Sequence, residues 1–332
     1  MERLVYRLLR RESVGPGCQQ YQTCIARCPP ASTPMKDRRR NQYVLAIAKQ
    51  CWTGVVLLAL GFYVWKNGAH ISTTLAAIPA IYLLAAFFCI VGGKFSALFL
   101  MQASLRMSMQ APPNWRASTW IYASSDVAKY MPGGVWAIVG RVVHYKNLGL
   151  SAGAISKALL LENLGFGVTA FTLGTPVAVA MVSKAGWLGG LGWSAIVMVM
   201  AILVWAGMRL LRRRGVEVSR TSVRIGSLAL AVMTLGWVAM GTSFFLLLAT
   251  FGGWLDWLWT VGTYAVAFTA GMVAVFAPAG AGVREGVLAL AGQMHGISAT
   301  MMLDAALLNR ALWVVVDVCF FGFALVVRAT KK

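Results

Sequence analysis

Long apolar runs alternate with short polar, basic or glycine-rich segments along most of the chain. The runs that approach the roughly 20 apolar residues of a membrane-crossing helix are residues 43–65, 75–93, 158–182, 193–211, 228–251, 257–276 and 305–327. A shorter apolar piece at residues 283–294 suits a half-helix, and four glycines between residues 186 and 192 predict a tight connection. The pattern therefore predicts an all-α polytopic membrane protein with about seven or eight transmembrane helices.

Proline and glycine interrupt two of these apolar regions at positions that should still lie inside a membrane. The interruptions are Met131-Pro132-Gly133-Gly134-Val135-Trp136 and Ala277-Pro278-Ala279-Gly280-Ala281-Gly282. Proline removes a backbone donor and glycine permits unusual backbone angles, so both break helices. Broken backbone at membrane depth is tolerated only where it is buried in protein or lines a wet cavity. One break in each half therefore indicates a transport site between internal repeats.

The two breaks also divide the chain into similar halves. Pro132 and Pro278 are 146 residues apart. Each break follows an apolar segment and precedes a short apolar piece and another span. We predict two internal repeats, at about residues 43–211 and 225–328, each with a Pro/Gly-broken or re-entrant segment. The pattern leaves parallel and inverted repeats open.

Charge gives the predicted spans an orientation. Thirty basic and ten acidic residues give a net charge of +20, and the bases cluster between the apolar runs, as the positive-inside rule expects of cytoplasmic loops. The segments placed in the cytoplasm on this basis are the flexible basic tail at residues 1–42 and residues 94–116, 141–157 and 209–224. Residues 120–139 must then enter and leave by one face, which favours a re-entrant hairpin.

The same pattern bounds the membrane domain, which we place at residues 43–328, followed by a basic C-terminus at residues 329–332. If residues 283–294 do not cross the membrane, the C-terminus lies outside. If they do cross, it lies inside, and charge slightly favours this second topology.

Composition excludes several functional classes. Hydrophobic residues make up 59% of the chain, charged residues only 12%, and the mean hydropathy is +0.70, which excludes an ordinary soluble domain. No basic module is long enough to bind nucleic acid as a folded unit. Cys18, Cys24 and Cys28 lack the spacing and the histidine of a zinc site, and no histidine has triad-like neighbours. We expect no metal, no cofactor and no enzymatic activity.

The first break carries candidate anion-binding residues. The amides freed by Pro132, Gly133 and Gly134 can face an anion, and Lys129 and Arg141 flank the break. The planar guanidinium of an arginine is suited to phosphate. Alternatively, the segment is a basic interfacial turn whose arginine reaches the lipid headgroups.

The second break is followed at once by Arg284-Glu285-Gly286. In one interpretation the break lines a cavity and holds Arg284 toward an anionic group, with Glu285 balancing its charge. In the other, Gly282 and Gly286 form a G-x-x-x-G that lets helices pack closely, and the neighbouring arginine and glutamate form a surface ion pair.

Glu162 adds a carboxylate inside an apolar span. A carboxylate there must be neutralised, paired or wet. A cation from another segment, such as Arg141 or Arg284, is the expected partner, in a cavity or as a structural ion pair.

The last span carries two further charged residues, Arg310 and Asp317, which share a helix face about two turns apart. They are too far apart for an ideal direct pair, so each is expected to bond another helix, with an interfacial position as the alternative for Arg310. Asp126 and Asp304 are expected to be solvated.

These motifs resemble the two signatures of the lysylphosphatidylglycerol synthase transmembrane family of flippase-like proteins. The first signature, Y-x-P-G-x-x-W…G-R, resembles Tyr130-Met131-Pro132-Gly133-Gly134-Val135-Trp136 with Gly140-Arg141. The second, P-G-G-x-G-x-R-E, resembles Pro278-Ala279-Gly280-Ala281-Gly282-Val283-Arg284-Glu285, where Ala279 replaces a usual glycine. Glu162 stands where the family places an acidic residue, and the likeness covers about residues 43–327.

The resemblance implies a flippase-like domain without the soluble synthase domain. We expect it to move an anionic or modified phospholipid, or a lipid-linked sugar, between the leaflets of a bacterial or archaeal plasma membrane. The lipid phosphate would be held in a central cavity by arginines and helix N-termini. The residues expected to line this cavity are Arg141, Glu162, Arg284, Glu285 and Arg310.

Two other functions stay open. In the first, the protein is a membrane scaffold that partners a separate glycosyltransferase or lipid synthase, and the two motifs serve only helix packing. Alternatively, it is an ion-coupled transporter of a soluble anion.

Overall fold

The computed structural model describes residues 78–109, 111–130, 136–213, 220–253, 256–274, 280 and 282–330. Side chains are described at all of these positions except residues 182, 184–208, 210–213 and 273. The described residues belong to one compact unit, Ala46–Lys332. The predicted tail, the first predicted span and most of the two Pro/Gly breaks lie outside the described residues.

Most of the residues that the structure describes are helical, and no strand occurs within those ranges. The helical segments are α1 (Ala80–Arg106), α2 (Trp115–Val127), a 3-10 turn (Ala128–Tyr130), α3 (Trp136–Asn147), α4 (Ala152–Arg213), α5 (Arg220–Thr250), α6 (Trp257–Val273), α7 (Val283–Gln293) and α8 (Ala299–Ala329). Four segments are long and apolar enough to cross a membrane: α1, Ala152–Met181 within α4, α5 and α8. The predicted class, an α-helical multi-pass membrane protein, is confirmed at this level.

Side-chain caps fix where three of the helices begin, because the first amides of a helix need acceptors outside it. Asn114 Oδ1 accepts from the Ala117 amide at 2.9 Å, at the start of α2. Asp256 Oδ1 accepts from the Trp259 amide at 3.1 Å, at the start of α6. Ser298 Oγ caps α8 in the same way at 3.2 Å. These polar residues set the boundaries that hydropathy alone leaves open.

Small residues let α1 and α5 pack closely. A Cβ atom built on Gly93 would lie 2.4 Å from Met240 Cγ. One built on Gly236 would lie 2.5 Å from Ser96 Cβ. Because neither position has room for a side chain, the two backbones approach more closely than larger residues would allow.

Neighbouring glycines on α1 offer a matched test of this contact. Gly93→Ala is expected to lower the free energy of unfolding by about 1–3 kcal/mol, because the new methyl group overpacks the α1–α5 contact. Gly92→Ala places its methyl group in open space, and alanine is favoured over glycine in a helix by roughly 0.5–1 kcal/mol, so this control should be at least as stable as the wild type. Detergent-induced unfolding measures both, and equal stabilities would contradict the close packing.

Trp237 joins α5 to α4 and α6. It is fully buried, and its ring centre lies 4.8 Å from that of Phe166 on α4 and 5.0 Å from that of Phe268 on α6. Its indole nitrogen donates to Thr169 Oγ1 at 3.1 Å. A buried tryptophan combines a large apolar area with a donor that needs a partner, so this one residue fixes the position of three helices.

Two predicted helix boundaries are wrong. Helix α1 does not end at Gly93, so Lys94 lies inside the helix with apolar residues before and after it. The predicted glycine connection between residues 186 and 192 is helical backbone within α4. A glycine in a helix interior costs only about 1 kcal/mol relative to alanine, which is too little to end a helix that is otherwise favoured.

The helices of the two halves follow the same order. Each half has a long helix, a short helix, a stretch largely outside the described residues, another short helix and a second long helix: α1–α4, then α5–α8. Helices α2 and α3 fold back on each other, because Ser125 lies beside Gly140 and Arg141 while Ser124 contacts His144. Earlier residues of α2 thus meet later residues of α3, so the two helices form an antiparallel pair, the α2–α3 hairpin.

Candidate functional site

Polar contacts hold the α2–α3 hairpin together. Arg141 Nε donates to Ser125 Oγ at 3.3 Å, and Ser124 Oγ lies 2.9 Å from His144 Nε2. Burial, with the nearby Arg328 guanidinium, holds the pKa of His144 below its ordinary value. The imidazole is therefore neutral at about pH 7, and its contact with the serine is a hydrogen bond between uncharged groups.

Arg141 forms an ion pair with Glu162 of α4. The two side chains are only 12% and 10% exposed. The guanidinium also lies 5.1 Å from the centre of the Tyr122 ring, within the range of a cation–π contact. The expected pairing of Glu162 with a cation from another segment is confirmed. Arg141 is packed inside the protein and does not reach outward as an interfacial residue would.

The second break ends in a turn that favours glycine. Gly280 has φ +70° and Gly282 has φ +84°, in the left-handed region where a Cβ atom is strained. A Cβ atom on Gly280 would also lie 2.7 Å from Gly271 Cα of α6. The turn therefore lies directly against the α6 backbone, and α7 begins at Val283 beside it.

Glu285 closes the start of α7 and pairs with α8. Its Oε2 accepts from the Gly282 amide at 2.7 Å, and its Oε1 accepts from Arg310 Nη1 at 2.5 Å. The predicted role of Glu285 in balancing Arg284 is wrong, because both of its oxygens have these other partners. The predicted packing role of Gly286 is also wrong, since a Cβ atom there would meet nothing within 4 Å. The expected bond from Arg310 to another helix is confirmed.

Arg284 stacks on aromatic rings and contacts no carboxylate among the described residues. Its guanidinium carbon lies 4.4 Å from the centre of the Tyr264 ring and 5.1 Å from that of Phe268. Its Nη2 donates to Asn309 Oδ1 at 3.3 Å. Asn309 is 1% exposed and is held in turn by Ser243, whose Oγ accepts from Nδ2 at 3.0 Å. Neutral groups thus position Arg284, and no carboxylate among the described residues forms an ion pair with its guanidinium.

The short helices after the two breaks present their arginines in the same way. Arg141 on α3 lies over Tyr122 of α2, and Arg284 on α7 lies over Tyr264 of α6. In each half the tyrosine comes from the short helix before the break, and a polar partner comes from the long helix after it. The halves differ in that partner, which is the carboxylate Glu162 on α4 but an amide on α8.

Two lysines and two aspartates form a third polar set between α1, the α2 end of the hairpin and α8. Lys94 contacts Asp126 and Asp317, and Lys129 Nζ lies 3.1 Å from Asp126 Oδ2 and 2.7 Å from Asp317 Oδ2. The expectation that Asp126 is solvated is wrong, because buried charges need partners and these lysines supply them. Asp304, also expected to be solvated, is 6% exposed. The expected bond from Asp317 to another helix is confirmed.

Trp313 connects this set with the second break. The ammonium groups of Lys94 and Lys129 lie 5.2 and 5.4 Å from the centre of a Trp313 ring. The Trp313 indole donates to the Tyr264 hydroxyl at 3.0 Å, and Tyr264 is the residue on which Arg284 stacks. A continuous row of cations and aromatic rings therefore runs between the hairpin and α7.

One face of α8 supplies the central members of this row. Asn309, Trp313 and Asp317 occur at every fourth position, so they lie above one another on the helix. Asn309 Oδ1 accepts from the Tyr264 hydroxyl at 3.3 Å. The Trp313 indole donates to the same hydroxyl, and Asp317 pairs with Lys94 and Lys129. Helix α8 therefore contacts polar groups of both halves on three successive turns.

The structure places the predicted site residues in two groups. Those around the hairpin are Lys129, Arg141 and Glu162, and those around the start of α7 are Gly280, Gly282, Arg284, Glu285 and Arg310. Trp136 begins α3 and is 37% exposed. The predictions for Pro132, Gly133, Gly134 and Pro278 lie outside the described residues.

Two cavities in the described part lie apart from these groups. The larger, of about 540 Å³, lies between α4, α5 and α6 and has mainly apolar walls, including Leu173, Val177 and Val261. The smaller, of about 270 Å³, lies near the C-terminal end of α1 and the beginning of α5. Neither is lined by the paired ions, whose side chains contact protein groups instead.

Sequence reasoning missed the aromatic partners of the cations. Tyr122 precedes Arg141 by 19 positions and Tyr264 precedes Arg284 by 20, so the repeated spacing was a signal that could have found both tyrosines. Lys94 carried a signal as well, because apolar residues flank it on both sides and a charge inside an apolar segment is a candidate functional residue.

Comparison with known proteins leaves the family of the chain open. No protein-family model matches it. No curated protein is similar enough to count as a relative. The resemblance of the two motifs therefore stays a prediction.

Proposed function

We propose that the protein is a flippase-like transporter that moves an anionic or modified phospholipid, or a lipid-linked sugar, between membrane leaflets. Arg284 is the observation that supports this most. Within the described residues, each of the other cations in the three polar sets contacts a carboxylate, whereas Arg284 contacts an amide and aromatic rings. An unbalanced cation is costly inside a membrane, so an anion from outside the protein would complete this set.

The surroundings of Arg284 favour a lipid phosphate as that anion. The guanidinium matches the oxygens of a phosphate with paired donors. Arg284 lies in the first turn of α7, where the helix dipole adds attraction for an anion. The rings of Tyr264 and Phe268 beside it offer apolar surface to the glycerol and acyl parts of a lipid, which a hydrated inorganic anion would not use.

The proposal takes the two halves as repeats with a broken segment in each and the α2–α3 hairpin as re-entrant. The matching order of helices and the matching arginine–tyrosine contacts support the repeats. The headgroup would pass along the polar row while the acyl chains stay in the bilayer. The 7–8 spans expected from the sequence belong to this proposal, beyond the four spanning helices of the described part.

Arg284→Ala is expected to slow translocation of a fluorescent phosphatidylglycerol about 10- to 100-fold, because a hydrogen bond to a charged group contributes about 1.5–3 kcal/mol. Arg284→Lys keeps the charge but loses the planar fork, so its loss should be intermediate. Arg224→Ala removes an exposed arginine of α5 and is the matched control that should translocate as the wild type does. Quenching of the outer-leaflet fluorescence of phosphatidylcholine vesicles containing the purified protein measures the rate.

Each candidate function predicts a different outcome when lipid translocation and phosphate uptake are both measured in these vesicles. An unchanged rate in Arg284→Ala would overturn the role given to this residue. A purified wild type that translocates no lipid would favour the scaffold that partners a separate glycosyltransferase or lipid synthase. Uptake of inorganic phosphate without lipid movement would favour the ion-coupled transporter of a soluble anion.

A further inference from the structure

Glu162 holds a buried carboxylate oxygen that no donor among the described residues contacts. The residue is 8% exposed, its Oε1 accepts from Arg141, and its Oε2 lacks a partner. A buried acceptor without a donor destabilises the folded protein. Glu285, by contrast, uses both oxygens. A proton on Oε2 would remove the negative charge that this buried site must otherwise stabilise.

The charged group that contacts Glu162 directly is Arg141, and further titratable groups of α2 and α3 lie around Arg141. From α3, Arg141 contacts it directly, and Tyr145 lies one turn further with a buried hydroxyl that has no partner in the described part. From α2, Tyr122 stacks with Arg141, and Asp126 interacts electrostatically with Arg141. Protonation of Glu162 would therefore first weaken its ion pair with Arg141.

Leucine side chains of α1 and α5 pack near this turn of α4. A Cβ atom on Gly165, less than one turn after Glu162, would lie 2.9 Å from a Leu100 methyl carbon of α1 and 3.4 Å from one of Leu230 on α5. Such surroundings stabilise a neutral set of groups and disfavour a net charge.

Charge balance links a proton to an anion at this place. Arg141 and Glu162 together are neutral. A phosphate anion bound at Arg141 would give the buried set a negative charge unless a proton entered with it. If one proton enters Glu162 together with the anion, the set is neutral before binding and neutral after it, which avoids the large cost of burying an unpaired charge.

We propose that Glu162 is a proton-binding group that couples uptake of one proton to anion binding at Arg141. The proton comes from a hydronium ion of the solvent: one of its O–H bonds breaks, leaving water, as the O–H bond at Oε2 forms, and no oxidation state changes. The neutral carboxyl then releases its ionic hold on Arg141, whose guanidinium binds the phosphate. This inference rests on the proposed function, because it takes a lipid phosphate as the anion.

The second half differs because Asn309 holds the place next to its arginine. An amide does not ionise near neutral pH, so Arg284 binds an anion without a proton. The two half-sites therefore have different pH dependence although their arginines and tyrosines match. Glu162→Gln should therefore remove the pH dependence of anion binding at Arg141, and Asn309→Asp should introduce it at Arg284.

Proton uptake by the purified full chain tests the coupling. A short-chain phosphatidylglycerol is added in weakly buffered detergent solution, and a pH-indicator dye reports protons while a separate titration reports lipid binding. We expect the wild type to take up a proton as the Arg141 site fills, and the affinity of that site to fall as the pH rises, by up to about tenfold for each pH unit. Glu162→Gln should bind the lipid without proton uptake and without this pH dependence.

Two further variants sharpen the test. Asn309→Asp should add proton uptake and pH dependence at Arg284, and it decides the matter if Glu162→Gln does not fold. Asp256→Asn makes the same acid-to-amide change at the exposed cap of α6, so its proton uptake should equal that of the wild type.

The failures are distinguishable. Lipid binding without proton uptake in the wild type, or proton uptake that persists in Glu162→Gln, would overturn the coupling alone. A pH-independent Asn309→Asp would also overturn it. A wild type that binds no phosphatidylglycerol would overturn the proposed function and the coupling with it.

Discussion

Lys94→Met is expected to lower the free energy of unfolding by about 3–5 kcal/mol, because it removes one partner from a buried ionic set. Lys94 is 2% exposed and contacts both Asp126 and Asp317. Methionine fills a similar space without a charge, so the loss reports the unbalanced carboxylates and not a cavity. Unfolding of the purified protein in mixed detergent micelles measures it.

Two variants separate charge balance from packing in this set. Lys129→Met should cost less than Lys94→Met, because the Lys129 side chain is 27% exposed and water screens its charge. Adding Asp317→Asn to Lys94→Met restores the balance between one lysine and one aspartate, so the double variant should regain part of the lost stability. A single Lys94→Met variant as stable as the wild type would contradict the burial of this set.

Gly280→Ala is expected to cost about 2–5 kcal/mol of unfolding free energy. The left-handed backbone conformation at φ +70° costs a residue with a Cβ atom roughly 1–2 kcal/mol. Overpacking adds about 1–3 kcal/mol, because the methyl group would meet the Gly271 backbone at 2.7 Å, and backbone cannot swing aside as a side chain can. Thermal unfolding in detergent measures the loss.

Gly286→Ala is the matched control for this variant. It lies on α7, six residues later, and its new methyl group meets nothing within 4 Å. Its stability should equal or exceed that of the wild type. Gly280→Ala should also translocate lipid more slowly wherever it folds, since the turn it distorts sets the position of Arg284. Equal stability and transport in the two variants would show that the glycine turn is not under the constraint described.

The helices could largely be predicted from the sequence because membrane burial leaves a strong local signal. The runs ending at Phe251 and Val327 correspond closely to α5 and α8. Glycine misled the prediction in α4 because its helix penalty is small and packing outweighs it. Polar caps such as Asn114 and Asp256 decide the helix starts, and hydropathy does not register them.

The candidate site could be predicted only as far as residue type. Glu162 stood out because a charge in an apolar run is rare and expensive, and Arg141 and Arg284 stood out because each follows a Pro/Gly break. Their partners depend on which helices meet, and this is not a local property. Lys94 shows the limit: its pairing with Asp126 spans 32 positions, so a rule that reads a lysine after an apolar run as interfacial cannot find it.

The polar face of α8 restricts how the bundle can move. A slide of α8 by one turn, about 5.4 Å, would bring the Asn309 amide to the place where the Trp313 indole faces two ammonium groups. It would also bring the indole to the place of the Asp317 carboxylate. Both lysines would then lose Asp317, one of the two aspartates that each of them contacts, in a single step. We therefore expect α8 to keep this register, so that in the proposed transport cycle the hairpin and α7 would rotate about it.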